Sequence, residues 1–309
     1  MPELRALPIL LAILIAAAGF SSRHVSAAEL RVVASIKPIH SLVASVMTGV
    51  GEPELLLKGA SSPHSFNLKP SDARILSKAD VVFWVGPDME VFLTRPLKTL
   101  APSAQIVELS KTPGLTLLPS ELERGRSIGE EANHHSHKNI DPHFWLNPDN
   151  AKVLVGEIVK QLAMADADNA ELFAANGVAL IAMLNRLTTE LDATLAAVKT
   201  VPFIVYHDAF QYFVKRFKLN AAGAIILNPE RAPGARKTSR IREKIATGKI
   251  RCIFTEPQFN PAIVKSLTNN TNTRVSALDP LGADIPAGPA AYTTLLQNLS
   301  RTLVACLKK

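Results

Sequence analysis

Histidine is the residue in this chain whose placement most invites a chemical reading. There are eight histidines, and four lie between Asn133 and Pro148. His134, His135 and His137 stand in a polar segment with almost nothing apolar to anchor it. His143 stands where apolar sequence resumes as Phe144-Trp145-Leu146. A neutral imidazole is the commonest protein ligand for metals. The stretch reads as a loose, metal-attracting loop that delivers into a fixed ligand. It also reads as a solvated linker followed by one structural histidine. The stretch alone leaves both readings open, so the elements around it must decide.

Those elements alternate. Leu30 to Ser35 reads as a strand, Lys37 to Met47 as an amphipathic helix, and Glu54 to Lys58 as a strand. Gly59 to His64 is a turn of small residues. Ser71 to Lys78 is expected to be helical with Ser71 as its N-cap, Val81 to Val85 a buried strand, Asp88 to Leu97 a helix and Gln105 to Leu109 a strand. Asn150 to Ala163 closes this half as a helix. From Asn169 to Val198, Phe173, Leu180, Leu184, Leu187, Leu191, Leu195 and Val198 recur at steps of three and four, with a gap at Gly177. About thirty residues of helix span roughly 45 Å, more than one small domain needs. A helix-turn-helix broken near Gly177 is the alternative.

The alternation then restarts. Strands are expected at Pro202 to Tyr206, Ala222 to Leu227, Arg251 to Thr255 and Arg274 to Leu278. Helices are expected at Asp208 to Phe217, Lys237 to Ala246, Pro261 to Leu267 and Ala290 to Cys306. Strands rich in Val, Ile and Leu that alternate with helices argue for parallel sheets covered on both faces. The fold class is α/β, with two (β/α) lobes joined by one long rigid linking helix. Residues 29–165 form the first lobe, 166–199 the linking helix and 200–309 the second lobe. Residues 118–141 form a mobile, histidine-containing loop within the first lobe.

In such sheets ligands bind just past the carboxyl ends of strands. His64 follows the second strand, His143 ends the polar loop, His207 follows the first strand of the second half and Asp279 follows its last. Two come from each side of the long helix, which places a site in the cleft between the lobes. Three imidazoles and a carboxylate suit a tetrahedral Zn²⁺. Each position also has a plainer reading: His207 as a strand end, His64 and Asp279 as turn residues. Glu256 ends a strand too and could be a ligand, but reads better as a cap or as a residue behind a ligand. His40, on the first helix, reads as a partly exposed structural histidine.

Composition sets the outer bounds. Arg5 followed by the apolar run Ala6 to Phe20 and small residues at Val25 to Ala28 reads as a secretory signal peptide, residues 1–28, cleaved near Ala27 or Ala28. The run is short for a membrane span, and no other stretch reads as one. Removing Glu3, Arg5 and Arg23 lowers the net charge from +7 to about +6. The basic residues are scattered and not interleaved with aromatics, so there is no nucleic-acid footprint. In an exported chain the even pair Cys252 and Cys306 reads as a disulfide. It would close a loop of about 54 residues, worth roughly 4 kcal/mol in the loop-entropy account. Two free thiols or a thiolate metal site are the alternatives.

Seven stretches stand out together: Ser62-Pro63-His64-Ser65-Phe66, Lys69-Pro70-Ser71-Asp72, Trp84 to Glu90, His143-Phe144-Trp145-Leu146, His207-Asp208-Ala209-Phe210, Glu256-Pro257-Gln258-Phe259 and Asp279-Pro280-Leu281-Gly282. Together they resemble the ZnuA-type family, the periplasmic metal receptors of bacterial ABC importers. The resemblance implies two (β/α) lobes on a rigid helix with zinc between them, and it maps the ligand histidines onto His64, His143 and His207. The cysteine pair matches a disulfide of some members. It further implies a periplasmic monomer whose partners are the membrane permease of an ABC importer and a periplasmic zinc chaperone. There are two departures. Some members carry Glu before the first ligand histidine, where this chain has Pro63; the fourth ligand is then Asp279, water or a loop histidine. The family's His- and acid-rich loop is here cut to His134, His135 and His137 with Glu130 and Glu131, which leaves one tight zinc site and a second, weak loop site in question. His207 stands where manganese-binding relatives have Glu, which favours zinc. A manganese receptor or metal-dependent adhesin on the same fold is the alternative. No cysteine stands near Ala28, where one would carry a lipid anchor. A zinc hydrolase would need a general base, for which Glu256 is the one candidate, and no His-Glu-x-x-His motif occurs.

Overall fold

A computed structural model describes residues 30–120, 140–226 and 234–308. The signal segment and His134, His135 and His137 lie outside the described residues. Two four-stranded parallel sheets carry the fold. The first has the order β2-β1-β3-β4, with β1 Val32–Ala34, β2 Glu54–Leu55, β3 Val81–Trp84 and β4 Gln105–Glu108. The second has the order β6-β5-β7-β8, with β5 Phe203–His207, β6 Ala221–Ile226, β7 Cys252–Thr255 and β8 Arg274–Ala277. Every neighbouring pair is parallel. β1 and β3 are buried along their whole length, as expected of strands covered by helices on both faces. In each sheet the chain first crosses to one side of the leading strand and then to the other. That reversal is where α/β sheets open a crevice at their carboxyl edge.

The helices are α1 Lys37–Val46, α2 Pro70–Leu76, α3 Pro96–Leu100, α4 Pro148–Ala165, α5 Ala170–Leu195, α6 Gln211–Phe217, α7 Ala235–Ala246, α8 Ala262–Thr268 and α9 Ala291–Leu307. α5 and its short 3₁₀ ends run unbroken as 32 residues, Ala167–Val198. By length and composition it could cross a membrane. Its stripe of Phe173, Leu180, Leu184, Leu187, Leu191 and Leu195 is instead buried in the protein, against α1, α4 and α9. Gly177 does not break it. A Cβ there would stand 2.5 Å from Val159 Cγ2 on α4, so the gap in the leucine pattern is where the two helices approach closely. The hydrophobic core does not stop at a lobe boundary. One contiguous cluster holds Val32 and Phe83 of the first lobe, Leu184 of α5, and Phe254 and Leu303 of the second. The Cys252–Cys306 disulfide joins the start of β7 to the last turn of α9.

Two local expectations are corrected. Ser71 is not an N-cap: α2 starts at Pro70, and Asp72 in its first turn accepts from the Lys69 backbone N–H. Pro at the first helical position is preorganised there and lacks only an N–H that would be unpaired anyway. Residues 88–97 are not one helix. Pro96 cannot sit inside one, so the segment divides into a 3₁₀ turn, Val91–Leu93, and α3. Ahead of it, the Glu90 carboxylate accepts from the N–H groups of Val85 and Gly86 at 2.8 and 3.1 Å and ties the loop to the end of β3.

Glu90 is fully buried, and desolvation pushes its carboxyl up to about 7 from 4.5, partly offset by the Ser35 hydroxyl and these two N–H groups. The folded chain thus holds this proton more tightly than the unfolded chain. The associated stability is fully present below about 4.5 and is lost as pH rises through about 7. Glu90→Gln removes the titration. By thermal or denaturant unfolding, the variant should gain on the wild type by up to about 3 kcal/mol between pH 5 and pH 8. A difference that does not change with pH would contradict this account of Glu90.

Candidate metal centre

Each histidine of the centre is presented by a different local device. His64 sits third in a turn in which the Ser65 N–H meets the Ser62 carbonyl at 3.3 Å, and its own N–H donates to Ser62 Oγ at 3.3 Å. Ser first and Pro second are favoured residues for such a turn. His143 ends a tight Asp-Pro-His bend and leads into the 3₁₀ turn Phe144–Leu146, whose three side chains are fully buried. His207 is the last residue of β5. Glu256 follows the neighbouring strand β7. His207 and Glu256 therefore flank the point where the second sheet reverses its strand order.

The three imidazoles converge. Their candidate ligand nitrogens all lie within 4.8 Å of one another. His64 Nε2 and His143 Nε2 are 3.4 Å apart. Two nitrogens bound at 2.0–2.1 Å to a tetrahedral ion stand about 3.3 to 3.4 Å apart, so this pair already has zinc spacing. Ser62, Pro63, Met89, Gln258, Phe259, Pro280 and Leu281 wall the cavity. It is ion-sized, with room for about one water.

Two buried carboxylates stand behind the rings. Asp141 Oδ1 accepts from His143 Nδ1 at 2.7 Å and from the His143 backbone N–H at 3.0 Å. Glu256 accepts from His207 Nδ1 at 3.0 Å and from its backbone N–H at 3.1 Å. An ionised carboxylate accepts a hydrogen bond and has none to donate, so Nδ1 carries the ring proton and the Nε2 lone pair is left for a cation. Such outer partners fix ring orientation and make the ligand more basic. Glu256 thus stands behind the His207 ring. Asp141 is a site residue that sequence reasoning missed. Its signal is the Asp-x-His spacing, which lets a short carboxylate reach the backbone two residues on.

Asp279 is not in the cluster. Oδ1 accepts from Gln258 Nε2 at 2.8 Å and from Leu281 N–H at 2.9 Å, and Oδ2 accepts from Ala283 N–H at 2.5 Å. It organises the Asp279-Pro280-Leu281-Gly282 turn. His40 is buried, not half-exposed, and its Nε2 meets the Pro53 carbonyl at 2.8 Å.

Contacts across the cleft hold the site. Tyr212 of α6 donates to the Asp141 carbonyl at 2.8 Å and accepts from the Leu118 N–H at 2.9 Å. Trp145 Nε1 donates to the Pro280 carbonyl at 3.1 Å, and Tyr292 donates to the Trp145 carbonyl at 2.6 Å. Lys37 on α1 spends its ammonium on the carbonyls of Gly282, Ala283 and Ile285 at 2.5, 2.8 and 2.7 Å.

Burial, and then the neighbouring imidazoles, holds His64 and His143 well below the ordinary histidine range. Burial also pushes His207 down, but the Glu256 carboxylate, helped by Asp141 and Asp208, outweighs it and the net shift is upward. Two rings are therefore neutral and ready for metal at ordinary pH, and His207 is the ring where protons compete. Zinc affinity should fall as pH drops through the His207 titration, with the slope of a single proton. Glu256→Gln should move that fall to lower pH and weaken zinc binding at high pH by about 10- to 100-fold. Chelator-competition titrations across pH measure both. A slope near three protons, or an unchanged profile in the variant, would contradict this division of roles.

Comparison with known proteins places the chain in a family. Residues 32–306 match the family model for ZnuA, the periplasmic component A of a zinc-uptake complex. The high-affinity zinc uptake system protein ZnuA of Brucella suis biovar 1 is 41% identical over 320 residues, which covers 94% of this chain and 96% of that protein. The protein of the same name from Yersinia pestis is 36% identical, covering 91% of this chain and 92% of its own. Among solved structures, a ZnuA crystal structure superposes with a TM-score of 0.77 at 23% identity, covering 90% of this chain and 99% of that one. The laminin-binding adhesin Lmb of Streptococcus agalactiae, as a mutant, does so at 0.74 with 25% identity over 90% and 99%. The chain belongs to the ZnuA family of zinc-uptake receptor proteins.

Proposed function

We propose that this protein is a high-affinity zinc receptor of the periplasm that delivers Zn²⁺ to the membrane permease of an ABC importer. The observation that carries the reading is the convergence of His64, His143 and His207 on one ion-sized cavity, with buried carboxylates holding two of the rings. Zinc, a borderline-soft ion, is suited by three nitrogens. Manganese prefers oxygen ligands and binds most weakly in the first-row transition series from Mn²⁺ to Zn²⁺, and no carboxylate joins the cluster among the described residues. The relatives named as high-affinity zinc uptake proteins support the same reading.

The cavity also argues for cargo over catalysis. The family is one of receptors and not of enzymes. A hydrolase must admit a substrate beside its metal and keep a general base in reach. Here there is room for about one water, and Glu256 already receives His207 Nδ1–H. The fold likeness to Lmb supports a second reading, a metal-dependent adhesin, which binding to immobilised laminin would test.

Competition between metals tests the proposal. One equivalent of Zn²⁺ should displace Mn²⁺ completely, and excess Mn²⁺ should leave bound Zn²⁺ in place. The opposite ranking would overturn the zinc assignment.

A further inference from the structure

Three imidazoles leave a tetrahedral ion one ligand short. Asp279, the carboxylate that the sequence offers for that place, stands outside the histidine cluster, and its oxygens already accept from Gln258, Leu281 and Ala283. Pro63, beside His64, has no side-chain ligand atom. Gln258 is different. It lines the same cavity as the three histidines. Its amide nitrogen must be the end that faces Asp279, because a carboxylate oxygen accepts and does not donate. That fixes the orientation of the amide. Its Oε1 is then buried and, among the described residues, has no hydrogen-bond partner. A buried orphan acceptor is uncommon and calls for a donor.

We propose that Gln258 holds the fourth ligand of the bound zinc, a water molecule, with Oε1 accepting one of its protons. This rests on the zinc reading above and deepens it. Water bound to zinc is a strong donor, since the ion draws electron density from its O–H bonds. Gln258 is a positioning residue here and Asp279 stands behind it, holding the amide. The choice of an amide suits a carrier. A carboxylate in this place could take the proton and leave a zinc-bound hydroxide, which is the nucleophile of zinc hydrolases. An amide accepts the hydrogen bond but offers the water no base to take its proton.

The test compares the metal-stripped wild type with Gln258→Met and Asp279→Asn, each loaded with Zn²⁺ and, separately, with Co²⁺. Zinc affinity is read by chelator competition, and the cobalt site by its visible spectrum and by deuteron couplings of bound water in D₂O. Unfolding of the metal-free forms reports on structural damage. The wild type should show a four-coordinate spectrum and one bound water. Gln258→Met should bind zinc about 10- to 100-fold more weakly, in the range for lost outer-shell partners, with the water couplings changed and metal-free stability near wild type. Asp279→Asn should keep the four-coordinate spectrum with the water still present. The inference falls if Gln258→Met matches the wild type in affinity and couplings. It falls also if the wild type shows no bound water, or if Asp279→Asn loses a ligand from the cobalt spectrum. Failure of the zinc reading looks different: the wild type itself would not bind zinc tightly.

Discussion

Nitrogens from two separately built sheets must arrive within a few ångströms of one another, and the rest of the structure answers to that constraint. His64 and His143 come from one lobe and His207 from the other, yet their ligand nitrogens lie within 4.8 Å. A tetrahedral ion tolerates little error in that spacing. Two independent lobes on a flexible linker would not hold it. Here the linker is the unbroken α5, and the core runs through it from one lobe to the other. Tyr212, Trp145, Tyr292 and Lys37 each add a hydrogen bond across the cleft. Together they fix the two pieces of chain, Asp141 to Leu146 and Asp279 to Ile285, that adjoin the site.

The electrostatics follow from the same burial. Rings packed this closely in a dry pocket cannot all carry charge, so His64 and His143 are held neutral. Neutral imidazole is the form a metal needs. The two carboxylates behind the rings do two things. They set the tautomer, and they place negative charge where it favours a cation without occupying its coordination sphere. The basic net charge of the chain does not oppose this, because the field at the cavity is set by groups a few ångströms away and distant surface charges are screened by salt.

Much of this was legible in the sequence. The alternation of apolar strands and helices carried the two parallel sheets, since buried parallel strands leave long Val and Ile runs. His64 and His207 stood out because they follow strands, where such sheets bind ligands, and His143 because it stands where the polar loop gives way to apolar sequence. Other features were hidden for physical reasons. The break of residues 88–97 depended on Pro96 and on the Glu90 carboxylate reaching back to β3, a local conflict that periodicity does not see. Gly177 looked like a gap because the close approach of α4 is a tertiary fact. Asp279 looked like a ligand because its position fits one, while its engagement by three N–H donors belongs to the folded turn. The roles of Asp141 and Gln258 depend on which atom faces which, and that is absent from spacing.

The most direct measurement is a competitive titration of the metal-stripped protein against a chromophoric zinc chelator, with His143→Ala beside it. His143 is chosen because it is buried, held by Asp141 and placed at zinc spacing from His64. The account predicts tight one-to-one binding in the wild type and a loss in the variant larger than the roughly 100-fold that outer-shell changes reach. Weak binding in the wild type, or tight binding that survives the substitution, would contradict it and leave the three histidines as structural residues.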